Sequence, residues 1–471
     1  MSPKNGLTVL STFSSILIIT TLVSVNTASA FGVRPRYEGP MIDAHAHAVQ
    51  RSVDWILTTL ETYHKVGVDK IVFMSGLSAL QAFRLRPNEI IPSTDEGYAN
   101  RTGTIGHLDA SLSQGFKWVG EIALRHWGQG WTIAADDPVA LQVYEVCAKH
   151  QVPITIHHDS RDYRGAYEEL DRAVGLSPHT IFVFHGWWLG PGHLSMQDLE
   201  RLIVRHANLY VELAGELEAA GTNWNEQTFL GGSRQDQFAH TDGRMKEGWH
   251  ILFERYPERF ISGFDLFTQS AYSYEGIKIR VDYFRNLFGQ IDRAAAERIC
   301  YRNVEDLLAK RICLMNVSLS SDRVEVGDVL TVAAQLRSMA ANPIRNETVS
   351  FFLERSDGKM TSIGEAETDK SGLAMLNYKI DTNGGSYWVV ASHPESSSYS
   401  YRSARVQLTV NQPTITTTKT AKVTDSTAIP SSIPPPNSTS YIIAGTVATA
   451  VALLLLMSRK RKRIELPQVA G

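Results

Sequence analysis

Two histidines near the start of the chain are the first candidates for chemistry. His45 and His47 stand one residue apart, at the end of an apolar run at residues 41–46 that is typical of a buried strand. Because alternate side chains of a strand share one face, both imidazoles point the same way and can grip one metal ion. We call them the first histidine pair. A lone His-x-His is common, so the assignment depends on what other strand ends carry.

Other strand-like runs also end in side chains that ligate metals or transfer protons. Imidazole nitrogens and carboxylate oxygens are the donors that zinc and similar divalent ions take in proteins. With the first pair, four of the 15 histidines fall at the ends of three strand-like runs, whereas chance would scatter them. The sequence therefore predicts a divalent metal centre, with zinc the expected ion. The further candidates are Glu121, Asp265 and a second histidine pair, His157 and His185.

The elements that must carry these residues alternate between strand-like and helix-like sequence. Helical patterns dominate residues 274–291 and 293–310. Eight alternating units over residues 39–312 predict an α/β fold of the (β/α)8 TIM-barrel type, whose strands deliver their carboxyl ends to the active-site face. Residues 221–243, within the long last connection, are a candidate lid. The eight strand candidates are residues 41–46, 70–74, 89–92, 118–123, 153–157, 180–185, 209–214 and 260–264.

The order of these motifs resembles the amidohydrolase superfamily of metal-dependent hydrolases, over residues 39–312. The resemblance is strongest to the amidohydrolase-related group, which includes metal-dependent decarboxylases and lactonases, and TatD-like hydrolases come next. The helix-like run at residues 298–308 and the run at residues 210–215 also look like this group. The resemblance implies hydrolysis of an amide, ester or phosphoester bond by metal-activated water.

Two designs of the metal site stay open on this resemblance. In the binuclear design the first histidine pair and Asp265 hold one ion, the second pair holds another, and Glu121 bridges, as in TatD-like enzymes. In the mononuclear design the first pair, His157 and Asp265 bind one ion while His185 acts as acid or base. In both, Asp265 can take the proton of the attacking water and return it to the leaving group. Glu121 favours two ions.

Side chains just after strand ends are candidates to line a site for a small-molecule substrate. We expect Arg125, Arg161 and Trp187 to contact it. Asp43 shares the face of the first histidine pair but lies deeper, which suits an orienting carboxylate. His158 should point away from the metal, because it neighbours His157 along a strand. The substrate class does not follow from the sequence.

Residues 313–412 follow a different pattern. Short alternating runs recur between Gly, Asn, Asp and Ser turns, which predicts an antiparallel β-sandwich. The stretch resembles bacterial-type immunoglobulin-like domains at residues 349–352, 363–364, 368–372 and 385–387. Its expected role is that of a spacer or adhesive module.

Both ends of the chain indicate export and anchoring. Residues 1–30 have the apolar run and small-x-small end of a signal peptide. Residues 413–440 are a Thr/Ser/Pro-rich stalk, residues 441–457 an apolar transmembrane helix, and residues 458–471 a basic tail that should stay cytoplasmic. We expect a single-pass protein of the cell membrane with its catalytic domain outside. A removable sorting signal has the same pattern and stays open.

Composition excludes some classes of protein. The 471 residues carry 46 Lys+Arg and 49 Asp+Glu, a net charge of −3, so no global basic field favours nucleic acid. Three cysteines exclude a disulfide scaffold. Cys147 is expected in the core, and Cys300 and Cys313 could pair only at a suitable Cα separation.

Three other functions stay open at this level. The first is metal-dependent non-oxidative decarboxylation, which the related group also performs. The second is a TatD-like nuclease, although the candidate loops show no basic stripe with interleaved aromatics. The third is an inactive surface-binding or adhesion protein, which the full set of metal-ligand candidates disfavours. The oligomeric state is not predicted.

Overall fold

The computed structural model describes residues 35–94, 104–126, 131–159, 165–185, 194–213, 238–240 and 242–412. The predicted signal peptide, stalk, transmembrane helix and tail lie outside these residues, as do Arg161, Trp187 and most of the candidate lid. Within the described residues, no helix combines the length and the apolar character needed to cross a bilayer.

Strands and helices alternate through the first part of the chain. The strands are β1 (Ile42–His47), β2 (Lys70–Met74), β3 (Ile90–Ser93), β4 (Val119–His126), β5 (Trp131–Thr132), β6 (Ile154–His158), β7 (Phe182–His185), β8 (Leu209–Glu212) and β9 (Phe260–Ile261). The helices are α1 (Val53–Lys65), α2 (Leu77–Leu85), α3 (Thr104–Ser113), α4 (Pro138–His150), α5 (Ala166–Leu176), α6 (Met196–Arg205), α7 (Glu247–Arg255), α8 (Tyr274–Phe288), α9 (Arg293–Glu297) and α10 (Asn303–Leu308).

The parallel strands form a ring. One sheet has the order β1-β2-β3, and the other runs from β4 through β6, β7 and β8 to β9, with β5 antiparallel at its edge. A parallel bridge between Ser93 and Trp118 joins the sheets on one side, and one between Ala46 and Leu266 joins them on the other. The predicted α/β fold with parallel strands is confirmed. The carboxyl ends of the parallel strands therefore face the same end of the ring.

Helices are held against the outside of the ring by their apolar faces. Helix α1 begins after Ser52, whose side chain accepts the N–H of Trp55 and so satisfies one exposed donor of the first turn. It buries Ile56 and Leu60 in the main hydrophobic core, which also contains Phe73 of β2. The alternation of apolar and polar residues that predicted these helices thus corresponds to inner and outer faces.

A second hydrophobic core, the floor, lies beneath the strand ends. Val183 and Tyr210 belong to it and stand two residues before His185 and Glu212, so each pair shares one face of its strand. The floor is closed by apolar side chains from later in the chain. They include Val304 and Leu307 of α10, followed by Ile312, Leu314 and Met339.

The C-terminal region is β-rich, as predicted. Its strands are β10 (Cys313–Leu319), β11 (Arg323–Glu325), β12 (Val329–Ser338), β13 (Thr348–Glu354), β14 (Met360–Glu367), β15 (Leu373–Lys379), β16 (Gly385–His393) and β17 (Arg402–Asn411). They form two sheets, ordered β10-β12-β15 and β11-β17-β16-β13-β14. Their inward-facing residues, such as Leu330, Phe351 and Val389, make one hydrophobic core. Strands β11 and β14 were not predicted, since β11 is short and no side chain of β14 is fully buried.

Buried polar contacts tie this region to the ring. Arg402 on β17 is 1% exposed and donates to Tyr210 Oη at 3.1 Å and to the carbonyl oxygen of Ala207. Ser403 donates to Glu258 Oε1 at 2.9 Å. Because Tyr210 also belongs to the floor, the C-terminal region supports the ring directly.

The cysteines are unpaired. Cys147 is buried, as expected, and Cys300 and Cys313 are buried free thiols. The disulfide that the sequence left open is therefore not formed.

Candidate metal centre

The first histidine pair aims at one point. The Nε2 atoms of His45 and His47 are 2.9 Å apart, and they lie 3.5 and 3.3 Å from Asp265 Oδ1. Ligands on a tetrahedral zinc ion with bonds of about 2.1 Å stand roughly 3.4 Å apart. The three atoms are therefore spaced as ligands of a single ion would be.

Glu121 lies between the two histidine pairs and turns one oxygen toward each. Its Oε2 is 3.8 Å from His45 Nε2 and 3.6 Å from His47 Nε2. Its Oε1 is 2.6 Å from His157 Nδ1 and 3.7 Å from His185 Nε2. A carboxylate placed in this way can bridge two ions, so the geometry accommodates the binuclear design.

Asp265 also faces both pairs. Its Oδ1 faces the first pair, and its Oδ2 lies 3.5 Å from His185 Nε2. Its side chain is 16% exposed, against 8% for Glu121. Its φ of 48° lies in the left-handed region, which Asp tolerates better than most residues. Of the two carboxylates Asp265 and Glu121, Asp265 is therefore the more exposed to solvent.

Two further carboxylates orient imidazole rings, each by accepting a hydrogen bond from the ring nitrogen that faces away from the other ligand candidates. Both oxygens of Glu212 accept from His45 Nδ1–H, at 2.9 and 3.0 Å. Asp159 Oδ1 accepts from His157 Nε2–H at 3.0 Å. A neutral imidazole has one N–H, so each carboxylate leaves the opposite nitrogen with its lone pair for a metal. Sequence reasoning missed Glu212, which ends β8 but lies two residues before the end of the predicted strand at residues 209–214.

Asp43 holds the backbone under the site. Its Oδ1 accepts the N–H groups of His45 and Phe264, at 3.0 and 2.8 Å, and its Oδ2 accepts the Tyr63 hydroxyl at 2.7 Å. Phe264 directly precedes Asp265, so Asp43 fixes two strand ends that carry ligand candidates. The carboxylate contacts backbone rather than the cluster, as expected of an orienting residue.

Glu169 on α5 contacts both Arg125 and His158. Arg125 donates to both of its oxygens, at 2.8 and 2.7 Å, and also to the Thr132 carbonyl. His158 lies 3.3 Å from Glu169 Oε2 and therefore points away from the cluster, as expected. The substrate-binding role of Arg125 stays a prediction, as do the roles of Arg161 and Trp187 outside the described residues.

In this cluster, burial and neighbouring charges shift the pKa values of the side chains in opposite directions. Burial by itself lowers the pKa of His45, but the charges of Glu212 and Asp265 raise it to about 9. Burial likewise lowers the pKa of His157, which Glu121 and Asp159 raise to about 10. Burial raises the pKa of Glu121, yet the neighbouring imidazoles hold it below its ordinary range. Glu121 is therefore held as an anion and attracts positive charge to this position.

Gly120 allows the close backbone packing that positions Glu121. Gly120 has a φ of 105°, and a Cβ there would lie 2.5 Å from the carbonyl oxygen of Thr155 on β6. Any other residue would meet both a rare backbone conformation and a backbone clash. The close approach of β4 and β6 beside Glu121 therefore requires glycine.

Ligand-type side chains within the described residues form four overlapping groups that could hold a metal ion. Three of them contain residues of the two histidine pairs with Glu121 or Glu212. The fourth joins His157 to Asp159 and His126, whose ring stacks on that of His157 with centroids 3.9 Å apart. The two groups that share Glu121 together contain both histidine pairs, so the bridged arrangement accounts for more of the predicted ligands.

Solved structures similar to this chain include a TIM-barrel protein and a hydrolase. No protein-family model and no curated protein matches the sequence. An uncharacterised TIM-barrel protein from Bordetella bronchiseptica is 16% identical over 57% of this chain and 99% of its own, with a TM-score of 0.41. A structure described as a probable 2-pyrone-4,6-dicarboxylic acid hydrolase from Acinetobacter baumannii, with citric acid bound, is 16% identical over 57% and 98%, with a TM-score of 0.37. The D00-D0 domain of intimin is 19% identical over 21% of this chain and 48% of its own, with a TM-score of 0.16.

Proposed function

We propose that this protein is a metal-dependent hydrolase of the amidohydrolase superfamily, with a (β/α)8 barrel that holds two divalent ions, expected to be zinc. The observation that supports it most is Glu121, whose two oxygens lie 2.6 to 3.8 Å from the two histidine pairs. Ions held there would activate water at neutral pH and polarise the bond under attack. The imidazole and carboxylate donors suit zinc.

Asp265 is the proposed proton carrier. It is exposed enough to meet the substrate side of the cluster, and both of its oxygens face ligand candidates. It takes a proton from the attacking water and returns it to the leaving group. His185 would be a ligand in a site with two ions, and it would take the acid or base role in a site with one. Its Nδ1 has no hydrogen-bond partner within the described residues.

The substrate is proposed to be a small molecule with an amide, ester or phosphoester bond. Arg125, near the end of β4, and Arg161 and Trp187, which follow β6 and β7 along the chain, are proposed to line its site. Arg125 would act while held by Glu169, which fixes the plane of its guanidinium group.

The activity is tested with a panel of small esters, amides and phosphoesters. Chelation should abolish hydrolysis and zinc should restore it. Asp265→Asn should lower the rate by about 10²–10⁴-fold, the usual size of an acid–base contribution. The control is Glu347→Gln, a carboxylate in the C-terminal region that holds the buried His393 at 2.9 Å. Hydrolysis indifferent to chelation and to Asp265→Asn would overturn the proposal, and release of carbon dioxide would favour a decarboxylase.

The location proposed for this activity is the outer face of the cell membrane, with residues 441–457 as the anchor. The support is the sequence pattern at the two ends of the chain. Protease added to intact cells should release the catalytic part. A fully protected chain would contradict an external location.

A further inference from the structure

We propose that Glu212 is a positioning residue that sets the affinity of the first histidine pair for its ion. The proposal rests on the proposed function, because it concerns the same metal centre. It assigns a role to a residue that neither the motif spacing nor the ligand candidates had singled out.

The contact between Glu212 and His45 is fully buried and involves both carboxylate oxygens. Glu212 and His45 are both inaccessible to solvent, and both carboxylate oxygens face the same Nδ1 atom. Such a contact fixes the N–H on Nδ1 and the orientation of the ring, and it leaves Nε2 as the ligand atom. Nε2 is also the atom that faces His47, Asp265 and Glu121.

Gly263, which follows β9 between β8 and β1, makes room for this contact. A Cβ at Gly263 would overlap Glu212 Oε1 and would stand 3.1 Å from His45 Cβ. Gly263 does not have a positive φ, so the space rather than the backbone conformation requires glycine there. The ends of β1 and β8 and the adjacent Gly263 therefore together accommodate the contact between His45 and Glu212.

The effect of Glu212 falls mainly on one ion. His157 has its own orienting carboxylate, Asp159. His185 Nδ1 lies 4.0 Å from Glu212 Oε1, beyond hydrogen-bond distance. Loss of the Glu212 charge should therefore weaken binding at the first histidine pair and leave the second nearly unchanged.

The test is a zinc titration of the metal-stripped full-length protein in competition with a chromophoric chelator. Glu212→Gln keeps the shape of the side chain but removes its charge. It should weaken one of two binding steps by about 10–100-fold, the usual cost of losing a partner behind a metal-binding histidine. The matched control is Glu347→Gln, which removes the charge of another carboxylate behind a buried histidine, and both steps should then keep their wild-type affinity.

A general loss of stability would not produce this result, because it would not select one binding step. If Glu212→Gln does not fold, Glu212→Asp is the alternative variant. It keeps the charge but shortens the side chain by one methylene, so it should weaken the same binding step. Wild-type affinity at both steps in a folded Glu212 variant would overturn the role of Glu212 alone. A wild-type protein that binds no zinc would overturn the proposed function together with it.

Discussion

At the scale of single residues, the candidate metal centre depends on side chains that are not themselves ligand candidates. Asp43 accepts three hydrogen bonds, two of them from backbone groups that precede or carry ligand candidates. It is completely buried, and burial raises its pKa to about 7. The position of His45 therefore depends on groups beneath the cluster as much as on the cluster itself.

Removing the Asp43 carboxylate should destabilise the protein strongly. Asp43→Ala leaves buried donors of His45, Phe264 and Tyr63 without an acceptor, at a cost of about 1–3 kcal/mol each. Tyr63→Phe is the matched milder change, since it removes one donor only and should cost about 1 kcal/mol. Urea denaturation measures both free energies of unfolding. Equal losses in the two variants would show that the backbone contacts of Asp43 contribute little.

At the scale of elements, strand ends were the features that the sequence could predict. Every strand candidate of residues 39–312 is found, because a continuous apolar run is typical of a strand that is buried on both sides. Most ligand candidates stand out as polar residues at the ends of those runs, whereas Glu121 lies within one. Glu212 was missed because the apolar residues after it hid the true end of β8. The pair Trp131–Thr132 was missed because two residues carry no periodic signal.

The contact of α5 with the strands should make stability depend on pH. Burial by itself raises the pKa of Glu169, but hydrogen bonds from His158 and Arg125 lower it from 4.5 to about 2. A carboxylate with a lowered pKa stabilises the folded state above its unfolded pKa, and this stabilisation is lost as the pH falls through the folded one.

Glu169→Gln is the test of that contact. The difference in free energy of unfolding between wild type and Glu169→Gln should be constant above pH 5 and should shrink as the pH falls from about 4.5 toward 2. Chemical denaturation at a series of pH values measures it. A difference that stays constant over this interval would show that Glu169 is not stabilised as an anion.

At the scale of the whole molecule, the C-terminal region is part of the support of the ring. Apolar side chains on both sides share the floor, and Arg402 is buried against Tyr210. The sequence predicted two folded parts but not their shared floor, because a contact between residues 210 and 402 leaves no local pattern. The eventual role of this region as spacer or adhesive module stays a prediction.

Arg402→Met should lower the free energy of unfolding by about 3 kcal/mol. The change leaves the buried Tyr210 hydroxyl and the partly buried carbonyl oxygen of Ala207 without their donor. Arg345→Met is the matched control, since Arg345 is exposed and its loss should cost less than about 0.5 kcal/mol. Equal stability of the two variants would contradict a supporting role for the C-terminal region.

The proposed function requires Glu121 to join two metal sites. Its most direct test is the zinc content of the purified full-length protein after equilibration with zinc and removal of excess ion. Wild type should hold about two ions per chain, and Glu121→Ala, which removes the shared ligand, about one or fewer. His45→Ala/His47→Ala should lose the ion of the first pair. A wild-type protein with one ion would support the mononuclear site instead, and a wild-type protein with none would contradict the metal-dependent function altogether.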